Sequence, residues 1–290
     1  MQQVLQQVAA GLVNGCLYAL LALALVMIYR ATHHVNFAQG EMALFCAYIG
    51  LALLKAGAGY PLAFAGSVAF GFVAGALVEK VVLSPLRQAP ILSVVTVFVA
   101  LMVMIHSAVA ILFGHESHDF PSPFRALDGA GSGLVSGHAV GTVLVTAGVL
   151  GAMTLFFRFT TMGLAMRAAA VQSLSSQLCG IDVQRTLLVG WGIAGAIGAL
   201  AGLLAAPSFF LEPHMMSGIM IYGFAAAILG GVDSPPGAIV GGLAIGIGEN
   251  LLGAYVTGSE LKLTVALLFM FLVLIWRPQG LLGSRSISRV

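Results

Sequence analysis

Apolar residues run along the chain in long blocks broken by short polar ones, at 8–29, 40–55, 61–79, 91–113, 138–157, 186–206, 217–232, 236–256 and 262–276. A hydrocarbon core of about 30 Å takes about 20 apolar helical residues per crossing. Open strands cannot satisfy their backbone groups in lipid, so each block is read as a helix. The pattern predicts an all-α fold, a polytopic transmembrane helical bundle of about 8–9 membrane helices in a single transmembrane domain over residues 1–290. Blocks 217–232 and 236–256, separated by Asp233-Ser234-Pro235-Pro236, stand open to two readings: two crossings, or two half-helices that re-enter.

Two connections exceed a simple turn. The one at 114–137 holds His115-Glu116-Ser117-His118-Asp119, Pro121, Pro123 and several glycines, a turn-rich stretch suited to a surface cap. Its H-E-x-H order falls short of the H-E-x-x-H zinc signature, so no metal is assigned to it. The connection at 158–185 lacks proline and is rich in Ala, Leu, Met and Gln. It predicts one or two short amphipathic helices and a docking surface, because helix connections in bundles usually run about 2–8 residues. A short tail, 277–290, follows the last block.

Composition agrees with the block pattern. Of 290 residues, 60% are hydrophobic and 8% charged, against about 25% charged in an ordinary soluble domain. A net charge of +2 with no basic run excludes a nucleic-acid partner and leaves membrane lipid as the surroundings. Cys16, Cys46 and Cys179 are isolated and read as packing residues. Met1 to Gln7 lacks the basic stretch of a secretory leader, so the first block is expected to remain in the mature protein. One side receives Arg30, Lys80, Arg87, Arg158, Arg167, Arg185, Arg277, Arg285 and Arg289, and the other only Lys55, Arg125 and Lys262. That bias predicts an outer N-terminus and a cytoplasmic C-terminus.

Ionisable groups in hydrocarbon cost about 2.5–3.5 kcal/mol each on insertion scales, so each needs a reason. Glu249 and Asn250 lie inside the eighth block, and Gly242, Gly246, Glu249 and Gly253 share one helical face. Two readings are open for Glu249: a lining of the solute path with Asn250, or a helix contact in which the carboxyl bonds a neighbouring polar group. At the start of the second block, His33-His34-Val35-Asn36-Phe37-Ala38-Gln39-Gly40-Glu41 is dense in polar side chains. Asn36 and Gln39 are expected on one helical face and Glu41 on another, with all three at the inner mouth of a solute path. His33 and His34 read as interfacial residues at a membrane edge. The glycine pairs Gly11/Gly15, Gly71/Gly75, Gly198/Gly202 and Gly237/Gly241 predict tight helix packing.

The chain has no Gly-Lys-Ser/Thr, so it cannot hydrolyse ATP through a P-loop. It also lacks a G-x-S-x-G elbow and paired intramembrane aspartates, which argues against a protease or other membrane enzyme. Glu249 alone is a thin basis for an ion-driven carrier.

Four stretches in this order resemble the permease subunits of bacterial branched-chain amino acid ABC transporters, the LivH/LivM family, over nearly the whole chain. They are Asn36-Phe37-Ala38-Gln39-Gly40-Glu41; Met166-Arg167-Ala168-Ala169-Ala170 through Gly180-Ile181-Asp182; Ala226 through Gly242; and Pro278-Gln279-Gly280-Leu281-Leu282-Gly283. The resemblance implies a permease in the bacterial inner membrane that pairs with a second homologous permease subunit. It also implies two ATP-binding cassette subunits on the cytoplasmic side and a periplasmic solute-binding protein. No cofactor is implied for this chain, since ATP is bound by the partner subunits. The 158–185 loop becomes the coupling element, with Arg167, Ala168, Ala169, Gln172, Gly180, Ile181 and Asp182 at the ATPase contact, and Asn36, Gln39, Glu41, Glu249 and Asn250 along the translocation path. Relatives that carry urea, short amides or aromatic acids keep the solute open, and a stand-alone carrier or channel is the rival class. Where this family often has a basic residue before the Ala226 stretch, this chain has Ile221-Tyr222.

Overall fold

The computed structural model describes residues 2–87, 89–124, 136–258 and 261–283. Residues 125–135 of the outer loop, with Arg125, and 284–290 of the tail, with Arg285 and Arg289, lie outside the described residues. Within them each apolar block is a helix: α1 Gln2–Thr32, α2 Gln39–Lys55, α3 Tyr60–Leu77, α4 Ile91–Phe113, α5 Gly137–Phe159, α8 Val183–Phe209, α9 Met215–Gly230, α10 Pro235–Leu252 and α11 Lys262–Trp276. The inner loop supplies two more, α6 Thr161–Val171 and α7 Ser173–Leu178, as its composition predicts. Among the described residues six segments are long and apolar enough to cross a membrane: Gln3–Thr32, Tyr60–Leu86, Ile91–Phe113, Gly137–Phe159, Val183–Phe209 and Pro235–Val256. The second joins α3 to a π-turn at Val78–Leu83 and a 3-10 turn at Ser84–Leu86. Helices α9 and α11 are apolar but shorter, at 16 and 15 residues. Large apolar side chains such as Leu92, Val103, Ile111, Leu268, Phe271 and Trp276 are exposed. So much bare apolar surface is stable only where lipid replaces water.

The chain divides into two compact units. The unit of Met27–Pro121 and Val145–Ser217 is built on α2, α3 and α8. Glycine lets these backbones touch. A methyl on Gly71 would sit 2.7 Å from the carbonyl oxygen of Gly195, Gly75 abuts the Trp191 carbonyl, and Gly202 abuts that of Ala43. Trp191 is fully buried and stacks on Phe98 of α4, with ring centroids 5.9 Å apart. The predicted pairs Gly71/Gly75 and Gly198/Gly202 are therefore packing sites on α3 and α8.

The unit of Met1–Val26, Ser122–Leu144 and Gly218–Val290 joins the first part of α1 to α9, α10 and α11. A methyl on Gly11 would lie 2.8 Å from the Gly246 carbonyl, and one on Gly242 would lie 2.5 Å from Ala19 Cα. Gly241 meets the Ala226 carbonyl, which brings α10 against α9. Between those helices the chain turns at Gly231, whose φ of 107° suits glycine. Ser234 then caps α10 by accepting from the Gly237 N–H at 3.1 Å, with prolines in the first turn.

Candidate functional site

Asn36 and Gln39 do not share the expected helical face, because α2 begins only at Gln39. Asn36 precedes the helix, and its Oδ1 accepts from the Ala38 N–H at 3.0 Å while its Nδ2 donates to Gln39 Oε1 at 3.2 Å. An asparagine competes with the backbone for local hydrogen bonds, so it starts a helix better than it continues one. Gln39 passes the contact on, donating through Nε2 to the Ala194 carbonyl of α8 at 3.0 Å. Gly198 leaves the room for that amide, since a methyl there would overlap Gln39 Nε2. Asn36 and Gln39 are both fully buried.

These contacts fix a depth. Ala194 lies eleven residues beyond Val183, the start of α8, or about 16 Å at about 1.5 Å per residue. Helix α2 therefore begins well inside the span of α8, whereas the sequence pattern puts its start at the membrane edge. Glu41 reports the same: its Oε2 lies 3.2 Å from His106 Nδ1. His106 is fifteen residues beyond Ile91 in α4, or about 22 Å along that helix. The His106 ring in turn packs on His214 with centroids 5.0 Å apart. Glu41 is 7% exposed, so the carboxyl faces imidazole rather than bulk water. Neither histidine was singled out by sequence. A signal existed for His106, the lone ionisable residue in the 91–113 block. His214 carried none, because it lies in the connection before α9.

Glu249 and Asn250 belong to the other unit. Glu249, 3% exposed, accepts through Oε1 from the Tyr18 hydroxyl at 2.8 Å and from Asn14 Nδ2 at 3.3 Å, both on α1. Tyr18 stacks on Tyr222, centroids 4.8 Å apart, at the place where the resembled family often has a basic residue. Asn250 Oδ1 accepts from Lys262 Nζ at 3.1 Å. The Gly242–Gly246–Glu249 face predicted from spacing is thus the face that α10 turns to α1, with glycines at the close approach and hydrogen bonds at its end.

The inner loop is a capped structure. Thr160 Oγ1 accepts from the Gly163 N–H at 2.9 Å to start α6, and Gly163 lies tight against the Phe156 carbonyl, folding α6 back on α5. Gln172, extended at φ −156°, breaks α6 from α7. Gly180 has φ 83°, a conformation that glycine adopts without strain and that turns the chain sharply out of α7. Asp182 caps α8 by accepting from the Arg185 N–H at 3.0 Å. Arg167, Gln172, Gly180 and Asp182 are exposed, and Ala168, Ala169 and Ile181 are half-buried. Val171, Leu174 and Leu178 form an exposed apolar row. Beside this loop, burial, with His33 as a second cause, holds His34 below its ordinary imidazole pKa.

Two further stretches meet. The Leu281 and Leu282 N–H groups donate to the Leu229 and Gly230 carbonyls at 2.8 and 3.0 Å, satisfying acceptors left free where α9 ends. Gly280, at φ 78°, and Gly231 pack backbone to backbone.

Residues 7–275 match the family described as branched-chain amino acid transport system permease component. The high-affinity branched-chain amino acid transport system permease protein LivH of Escherichia coli K12 is 30% identical over 301 residues, covering 99% of this chain and 97% of LivH. BraD of Pseudomonas aeruginosa, named for the same kind of system, is 30% identical over 99% of this chain and 98% of its own. A probable branched-chain amino acid transport permease, LivH of Methanocaldococcus jannaschii, is 30% identical over 94% of this chain and 90% of its own. Among solved structures, PsaBC from Streptococcus pneumoniae in complex with Fab superposes with a TM-score of 0.52 at 11% identity, over 93% of this chain and 91% of that one. That likeness concerns the fold.

Proposed function

The chain belongs to the family of branched-chain amino acid transport system permease components, and from that premise we propose that it is a single permease domain that lines the solute path of an ABC importer for branched-chain amino acids. It is a multi-pass protein of the bacterial inner membrane. Its N-terminus lies outside and its C-terminus in the cytoplasm, a placement supported by the Lys and Arg bias of the loops. A second homologous permease subunit completes the path, a periplasmic binding protein delivers the solute, and two ATP-binding cassette subunits bind and hydrolyse ATP. The chain itself carries no cofactor and performs no catalysis.

The observation that carries the mechanism is the inner loop. Helices α6 and α7, broken at Gln172 and closed by the turn at Gly180, hold Val171, Leu174 and Leu178 out of the core. An amphipathic helix of this kind docks in a groove of a partner through its apolar row. Arg167, Ala168, Ala169, Gln172, Gly180, Ile181 and Asp182 make the ATPase contact. Because Asp182 caps α8, a push on the loop moves a helix whose interior holds Gln39 through the Ala194 carbonyl. The path residues Asn36, Gln39 and Glu41 therefore sense the loop through one rigid element. Glu249 and Asn250 are assigned to the path as well. Amides and a Glu–His pair among apolar walls suit a solute with a dipolar head and an aliphatic body.

The test is reconstitution in proteoliposomes with the partner subunits. ATP-dependent L-leucine uptake is expected, with Arg167→Glu reducing both ATPase capture and uptake. Uptake by the chain alone would identify a stand-alone carrier, uptake of urea, amides or aromatic acids in place of leucine would reassign the solute, and ATPase capture surviving replacement of 158–185 would overturn the coupling role.

A further inference from the structure

A cavity of about 480 Å³ opens beside the inner loop, entirely within the unit built on α2, α3 and α8. Its volume falls in the range of about 300–1,000 Å³ common to small-molecule sites. The path residues take no part in it. Its walls come from the end of α1, the turns after α3, the start of α4, the α6–α7 break and the start of α8.

The wall has two characters. Its ionisable groups are His33, His34, Glu79 and Arg87. Glu79 is 1% exposed, and its Oε1 accepts from an Arg87 guanidinium nitrogen at 2.7 Å. Among the described residues no group donates to Glu79 Oε2, so half of a buried carboxylate has no partner there. A buried acceptor ordinarily has a hydrogen-bond partner. The rest of the wall is largely aliphatic, from Leu83, Leu86, Val94, Leu174, Val183 and Leu187.

Charge chooses the ligand. The charges of the bonded Glu79 and Arg87 cancel, so a lone cation or anion would enter at the cost of an uncompensated charge in a partly desolvated site. A dipolar ligand adds no net charge, can donate to the carboxylate, and can accept from the guanidinium, whose five N–H donors exceed the bond to Glu79. An aliphatic body then fills the apolar side.

We propose that this cavity is a second, regulatory site for a zwitterionic aliphatic α-amino acid, its ammonium toward Glu79, its carboxylate toward Arg87 and His34, and its side chain among the leucines. Gln172 and Ser173 also border the cavity, at the break between α6 and α7. Occupancy therefore bears on the coupling loop, and solute that accumulates on that side restrains further import. The side being cytoplasmic rests on the orientation proposed above.

Vesicles carrying the complete transporter, preloaded with L-leucine on the cytoplasmic side, test this. Internal leucine slows initial uptake. Glu79→Gln, which keeps the shape but not the charge, and Leu86→Trp, which fills the cavity from a turn outside the coupling loop, each raise the half-inhibitory concentration about tenfold or more, as loss of a charged hydrogen bond predicts. Uptake into unloaded vesicles stays at the wild-type level in both. Isoamylamine and 4-methylpentanoate, each with one charged end, inhibit only at concentrations about tenfold higher or more. Unchanged inhibition in both variants, or an amine as potent as leucine, overturns the proposal. If the transporter imports another solute, the unloaded vesicles take up no leucine. The cavity is then read independently, through inhibition of ATP hydrolysis by cytoplasmic-side leucine and its relief in the same two variants.

Discussion

Replacing Gly71 by alanine puts one methyl into the tightest part of the α3–α8 seam. That methyl would lie 2.7 Å from the Gly195 carbonyl oxygen and 2.8 Å from Ala199 Cβ, against an ordinary separation of about 3.5 Å or more. One obstacle is backbone and the other a side chain with no rotamers, so neither can turn aside. The helices must part by about 0.8 Å along the contact, which also strips dispersion contacts from neighbouring residues. Overpacking of this kind costs about 1–3 kcal/mol. About 2 kcal/mol lowers the folded-to-unfolded ratio by about thirtyfold. Gly148→Ala is the matched control, because nothing lies within 4 Å of a methyl there. It trades a glycine for a better helix former and should be neutral or stabilising by up to about 1 kcal/mol. Denaturant unfolding of both variants in bicelles should separate them by about 2–3 kcal/mol. Equal midpoints would refute the reasoning, since the seam would then be looser than its geometry. Because α8 carries both the Asp182 cap and the Gln39 contact, Gly71→Ala should also lower ATP-driven uptake, while Gly148→Ala should not.

Three more outcomes are expected. Tyr18→Phe removes the shorter hydrogen bond to Glu249 and should destabilise by about 0.6–1.7 kcal/mol, the range measured between membrane helices, in the same unfolding assay. An unchanged midpoint would mean that Asn14 and Tyr222 hold the carboxyl without it. Gly231→Ala forces a side chain to φ 107° and to 2.7 Å from Gly283 Cα. The tail should then leave α9, seen as faster hydrogen exchange at the Leu281 and Leu282 amides, and wild-type exchange there would refute the docking. His34, held neutral by burial and by His33, binds fewer protons when folded than when unfolded. Stability should be full above the unfolded value of about 6.5 and fall as the pH drops from there toward the lowered folded value. His34→Gln should flatten that slope in thermal melts between pH 7.5 and 5.5 (about one unit either side of the unfolded value), and a slope that survives the substitution would assign it to another group.

Much of this architecture is legible in the letters. Each apolar block became a helix because in lipid a backbone must satisfy itself locally, whatever its neighbours are. The 158–185 loop showed one or two short helices through composition, and the structure holds two. The glycine pairs marked packing faces because only a missing side chain lets two helix backbones touch. The start of α2 was misplaced for a physical reason as well: polar residues at the head of an apolar block look the same whether they meet water or a buried partner.

What the sequence by itself determined about this protein is a membrane bundle, its packing faces and the short helices of its 158–185 loop, all consequences of local periodicity and of the bilayer as solvent. Only the tertiary structure decided which polar groups answer each other. Gln39 bonds a carbonyl 155 residues away and Asn14 a carboxylate 235 residues away. It also brought Glu41 to His106, and joined Glu79, Arg87 and the loop break around one cavity. Hydrogen bonds act over about 3 Å, and no local pattern records which distant residue the fold brings within that reach.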